Sequence, residues 1–399
     1  MRWFALVFVI GLSLPATAPA YSVLTHEAII DSAWPSELRP LLLQRFPNAT
    51  DDQLREAHGY TYGGAIIQDL GYYPFGSKFF SDLVHYARSG DFVLALLKDA
   101  QAEDAQEPGA LNDYAFALGA LAHYAADNLG HPVAVNRTVP LVYPKLRAKF
   151  GPEVTYEDDP AAHLKTEFGF DVIEVARGQY ANEAYHDFIG FQVAKPLLER
   201  AFEETYGIRL KDLFTSLDLA LGTYRFSVSQ AIPEMTKAAW AAKKKDIQTL
   251  QKGMTRRRYV YRIKMAAYQK DFHDQYKKPG LGARFLAFLF RLVPKIGPFK
   301  AFAFRVPPPA AETMFVTSLD DTIREYRTLL ASAGANQLQL PNQNFDTGKP
   351  THIGDYHLAD ETYAKLVERL NHDKVQISAP LQANIDAFYR AATVREPVP

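Results

Sequence analysis

The stretch LAHYAADNLGHP, Leu121–Pro132, decides how the chain is read. With Leu118 before it, its apolar residues Leu121, Ala122, Ala125, Ala126 and Leu129 recur at three- and four-residue steps, the period of an α-helix. His123, Asp127 and His131 stand four apart, which on a helix makes one polar stripe two turns long. The flanks are apolar, so this helix is expected to be buried. A carboxylate buried between two imidazoles is costly unless its charge is offset. Two arrangements offset it: a His–Asp–His hydrogen-bond ladder, or a divalent cation held by the three side chains.

Outward from this stretch the helical period continues. It runs through THEAIIDSAW (25–34), SELRPLLLQRF (36–46), FFSDLVHYARSGDFVLALLKDAQAED (79–104) and LNDYAFALGALAHYAADNLGH (111–131). Asn48, Ser81 and Asn112 are the expected N-caps. Residues 152–178 start as a loop and turn helical near Pro160, and 216–254 read as one or two helices interrupted at Pro233. Alternating strand patterns are scarce. The expected fold is therefore all-α, a multi-helix bundle. Pro and Gly clusters at 277–282 and 305–312 mark boundaries. The expected organisation is a catalytic helical domain over 21–250 and a helical C-terminal extension over 251–399.

Composition narrows the chemistry. The 44 Lys+Arg nearly cancel the 45 Asp+Glu, so no electrostatic footprint for duplex nucleic acid or an acidic partner is present. There is no cysteine, which excludes disulfides and thiolate metal sites. Any metal must be held by His, carboxylate or backbone groups. The opening MRWFALVFVIGLSLPATAPA has Arg2, an apolar run and small residues at its end, the pattern of a signal peptide cut after Ala20. Its apolar run is shorter than the roughly 20 residues that span a bilayer. Export, into the medium or a periplasm, is expected, with Tyr21 as the mature first residue.

Other residues extend the polar set. HLKTE places His163 and Glu167 four apart on one helix face. QDLGYY supplies Asp69, DLVHYA supplies His85, and His26 follows Tyr21 by five residues. Taken singly, such residues are as readily caps, core histidines or parts of a solvated face. In this order, however, they resemble the zinc-dependent phospholipase C family, which is related to the fungal single-strand-specific zinc nucleases. The family's ligand order is met by Tyr21, His26, Asp69, His85, His123, Asp127, His131, His163 and Glu167, and the likeness covers about residues 21–235.

The resemblance implies a helical enzyme with three zinc ions in one cleft. One would be held by Asp69, His85, His123 and Asp127, and a second by His131, His163 and Glu167. The third would be held by His26, by Asp127 as a bridge, and by the backbone amine and carbonyl of Tyr21. The α-amine exists only after the signal peptide is removed, and it deprotonates near neutral pH. Asp69 would act as base or orienting carboxylate, and a metal-activated hydroxide would attack phosphorus in line. Choline-lipid members carry an aromatic after the first Asp, where Leu70 stands here, so choline specificity is not implied.

Several further features have two readings each. GYTYGGAIIQDLGYYPFG (59–76) reads as an aromatic loop, either a substrate wall beside Asp69 or ordinary packing. The apolar, basic segment 283–306 is either a core helix or an interfacial segment resting on lipid. The basic runs at 243–246 and 255–262 read as solvated faces, His58 as a structural histidine, and His352 and His357 as a structural pair. Three functions follow. The first is a secreted phospholipase C acting on a phospholipid headgroup ester. The second is a single-strand nuclease, the only reading that makes nucleic acid a partner. The third is a non-enzymatic metal-stabilised surface protein. No protein partner is implied.

Overall fold

The computed structural model describes residues 22–177, 191–228, 305 and 307–390. Among them the regular structure is helical apart from one small antiparallel hairpin, β1 Gln343–Asn344 with β2 Lys349–Pro350. The all-α expectation holds. The helices are α1 Val23–Ala33, α2 Arg39–Arg45, α3 Asp51–Ile66, α4 Lys78–Tyr86, α5 Ser89–Ala102, α6 Ala110–Gly130, α7 Asn136–Val142, α8 Pro144–Phe150 and α9 Pro160–Arg177. After these come α10 Lys195–Tyr206, α11 Leu217–Phe226, α12 Pro309–Gly334, α13 His357–His372 and α14 Ala379–Arg390. No helix among the described residues is long and apolar enough to cross a membrane.

The expected N-caps are not the ones used. Thr50 caps α3 in a reciprocal box with Gln53, Ser77 caps α4, and Gly109 precedes α6. Ser81 and Asn112 sit inside helices, where tertiary partners claim their side chains: Ser81 bonds the Gln68 carbonyl and Asn112 bonds Glu56. The run 79–104 is also not one helix. It breaks between α4 and α5 at Ala87 and Arg88, where Arg88 takes a left-handed conformation with φ of 53°.

The centre of the molecule is α6, buried along nearly its whole length between α3, α5 and α12. Alanine and glycine make this possible, because a helix enclosed on several sides needs small residues where axes approach. Here the reading of 59–76 as a loop is corrected. Residues 59–66 complete α3, and Ile67–Tyr72 continue as a 3₁₀ turn. The glycines that suggested a loop serve helix contact instead. A Cβ at Gly64 would lie 1.9 Å from the Phe116 carbonyl oxygen, and one at Gly119 would lie 2.0 Å from that of Thr61. Backbone cannot yield as a side chain can. Gly64→Ala is therefore expected to destabilise the protein by about 1–3 kcal/mol through overpacking, read as a fall in thermal midpoint.

The C-terminal helices join the same core. Tyr326 on α12 donates to the Leu118 carbonyl on α6 at 2.9 Å, and Phe315 stacks on Phe170 of α9 with centroids 4.4 Å apart. The expected boundary at 250 and the cluster 277–282 lie outside the described residues, as do Tyr21, the signal segment, Pro233, the basic runs and nearly all of 283–306.

Candidate metal centre

Local chain geometry brings the polar residues of five segments to one buried place. His26 is on the first turn of α1, His85 near the end of α4, and His123 and Asp127 on α6. Asp69 sits on the 3₁₀ turn. That turn is pinned by Ser81, whose hydroxyl donates to the Gln68 carbonyl at 2.5 Å and accepts from the Gly71 N–H at 2.9 Å. His163 and Glu167 lie on successive turns of α9.

The stripe ends on an irregular turn. The α-helix ends at Gly130, and His131 opens a π-helical turn, His131–Val135. Pro132 has no N–H to give to the carbonyl of Asn128, so the regular ladder cannot continue. His131 itself still donates its N–H to the Asp127 carbonyl, so it keeps the stripe's spacing, and its ring lies 5.4 Å from that of His163 on α9. His123 and Asp127 remain with the other residues. A stripe that is uniform in sequence is thus shared between two clusters.

All the described candidates are buried, with Asp69, His26, His123, Asp127 and His163 fully enclosed. Three groups have ligand atoms close enough to share a cation: His26–His123–Asp127, Asp69–His85–His123 and His131–His163–Glu167. Asp127 belongs to the first and also reaches His85 of the second. Its oxygens lie 3.2 Å from His123 Nε2, 3.4 Å from His85 Nε2 and 3.6 Å from His26 Nε2. Asp69 lies 3.4 Å from His85 Nε2. His123 stands between two groups, where the family's ligand order would place it in one. Tyr21 is outside the described residues.

The imidazoles are oriented as metal ligands require. His85 Nδ1 is 2.8 Å from the Ser81 carbonyl, His123 Nδ1 is 2.9 Å from the Ala65 carbonyl, and His163 Nε2 is 2.9 Å from the Val154 carbonyl. A carbonyl only accepts, so each of these nitrogens carries the proton. The other nitrogen then points its lone pair inward. The inward nitrogens of His85 and His123 are 3.4 Å apart. Two lone pairs that close repel unless a proton or cation lies between them.

The buried charges act strongly on one another. Burial pushes the Asp69 carboxyl up, against the pull of His123 and His85, and pushes Glu167 well up, with Asp127 and Asp69 adding repulsion. Burial drives His26 down to about 3, and His163 down to about 4. For His85 burial is outweighed by Asp127 and Asp69, which lift it to about 10. Both oxygens of Asp69, both of Asp127 and Oε2 of Glu167 are buried with no hydrogen-bond donor. Orphaned buried oxygens of this kind are costly, and divalent cations among inward-facing imidazoles would satisfy them. The donor set, nitrogen and carboxylate oxygen only, suits zinc.

The sequence reading did not find the hairpin that covers the cluster. The Phe345 N–H donates to the His85 carbonyl at 3.1 Å, and its ring meets that of His85 edge-on at 5.4 Å. The next residue, Asp346, has its Oδ1 3.0 Å from His131 Nδ1. Burial raises its carboxyl, but His131 and then His163 and Tyr356 overcome this and hold it near 2. Nothing periodic marks the stretch around Asp346. Tyr72 and Tyr156 flank the cluster with rings 6.2 Å apart, the first 5.6 Å from His85. His58 lies apart from the cluster, stacked on Trp34 and 3.1 Å from Asp31. His352 and His357 are exposed and face Asp355 and Glu361.

Comparison with known proteins agrees with this geometry. Residues 25–216 match the family model of zinc-dependent phospholipase C, a span that includes every described candidate from His26 to Glu167. No curated protein and no solved structure matches the chain. The order of the ligand-type residues, their convergence in a helical core and this match identify residues 25–216 as a zinc-dependent phospholipase C family domain.

Proposed function

We propose that the protein is an exported phospholipase C that hydrolyses the glycerol–phosphate ester of a phospholipid with the aid of three zinc ions. The observation that carries this reading is the convergence of three buried His/carboxylate groups, two of which share His123, with orphaned oxygens among them. In this reading Asp69, His85, His123 and Asp127 hold one ion, and His131, His163 and Glu167 hold another. His26, Asp127 and the Tyr21 backbone hold the third, and cleavage after Ala20 frees the Tyr21 amine. Zinc supplies Lewis acidity toward phosphoryl oxygens and makes water acidic enough to react near neutral pH.

The chain's own residues do the rest. The carbonyls of Ser81, Ala65 and Val154 fix the imidazole tautomers. The pinned 3₁₀ turn holds Asp69 where it can orient water and take its proton. The three carboxylates set the charge left to be balanced by a phosphodiester, so no arginine cluster is needed.

The test is direct. Purified mature protein is incubated with vesicles of mixed phospholipids and, separately, with single-stranded DNA, with and without chelator. Release of diacylglycerol and phosphorylated headgroups, lost with chelator and restored by zinc, is the expected result. Cleavage of DNA in place of lipid would identify the nuclease instead. A metal-loaded protein that cleaves neither would point to a non-enzymatic role. Amino-terminal sequencing of the exported protein is expected to begin at Tyr21.

A further inference from the structure

Asp346 is 1% exposed and lies far from the matched region in sequence. Its carboxylate is built into place. Oδ2 accepts from the Tyr356 hydroxyl at 2.6 Å and from the Tyr156 N–H at 2.8 Å. Its backbone is held as well: the Asn344 side chain accepts from its N–H at 2.9 Å, and its carbonyl accepts from Asn136 Nδ2 at 2.8 Å. Asn136 belongs to the same chain segment as the π-helical turn that carries His131. Oδ1 faces His131 Nδ1 at 3.0 Å as an ion pair, and neither of these two buried atoms has an aligned hydrogen-bond partner.

We infer that Asp346 is a positioning residue for His131, by which the C-terminal hairpin completes the His131–His163–Glu167 metal site. The inference rests on the zinc reading of that site. A carboxylate oxygen with two other donors on its partner oxygen is an acceptor, so His131 Nδ1 carries the proton. The lone pair then sits on Nε2. A carboxylate behind a ligating imidazole fixes ring orientation and raises ligand basicity, and losing it costs about 10–100-fold in metal affinity. His163 has a backbone carbonyl in this role, and His131 has Asp346. The second site therefore depends on a residue outside the span that identifies the family.

The test uses the full mature protein, with zinc titrated against a competing chelator and folding checked by circular dichroism. Asp346→Asn is expected to weaken one zinc ion about 10–100-fold and leave the others within about twofold. In a His131→Ala background the same substitution is expected to cause no further loss, which separates positioning from a general structural role. Tyr356→Phe, which keeps the hairpin and removes one support of the carboxylate, is expected to weaken the same ion several-fold. Lys349→Ala, exposed on the same hairpin, is expected to change nothing. Wild-type zinc affinity in Asp346→Asn, or a loss that adds in full to that of His131→Ala, overturns the inference. Should Asp346→Asn not fold, unchanged affinity in Tyr356→Phe overturns it. A wild-type protein that binds no zinc would instead overturn the metal reading itself.

Discussion

Asp127→Asn is expected to reduce phosphodiesterase activity by about a thousandfold or more, a loss on the order of 4 kcal/mol of transition-state stabilisation. The size of the effect comes from position. Asp127 lies within reach of His26, His85 and His123 together, at 3.6, 3.4 and 3.2 Å. The amide is the same shape but carries no charge, so both neighbouring cation positions lose the anion they share. Metal analysis of the purified variant is expected to show two ions weakened and the His131–His163–Glu167 ion retained. Full activity in a variant whose fold is intact would remove Asp127 from the proposed centre.

The second large effect is on stability. Chelation of bound zinc is expected to lower the thermal midpoint by on the order of 10 °C or more. Metal that binds only the folded chain adds its binding free energy to folding, about 4 kcal/mol per site at a free concentration a thousandfold above Kd. The stripped protein keeps the cost: both oxygens of Asp69, both of Asp127 and Oε2 of Glu167 stay buried without donors. No disulfide is available to compensate, because the chain has no cysteine. Scanning calorimetry with and without chelator, followed by zinc return, measures this. A midpoint that does not move would mean that the buried polar cluster is satisfied without metal.

Much of the site was legible because its signals are local. His123 and Asp127, and His163 and Glu167, are helical neighbours at four-residue spacing, and each pair meets as that spacing requires, at 3.2 and 3.3 Å. The N-caps and the glycine-rich segment at 59–66 were misjudged for the opposite reason. Ser81 and Asn112 carry cap-forming side chains, but distant partners recruited them. Gly64 looks like a loop residue until α6 is laid against it at a separation that only glycine permits.

By itself the amino-acid sequence determined the helical class and the types and order of the candidate residues from His26 to Glu167, because helical period and residue chemistry are properties of neighbours along the chain. The tertiary structure alone decided that His123 stands between two groups and that Phe345 and Asp346 close over the cluster. Those outcomes depend on contacts between residues far apart along the chain, more than two hundred positions for His131 and Asp346. No local pattern encodes such contacts: they exist only once the helices have packed.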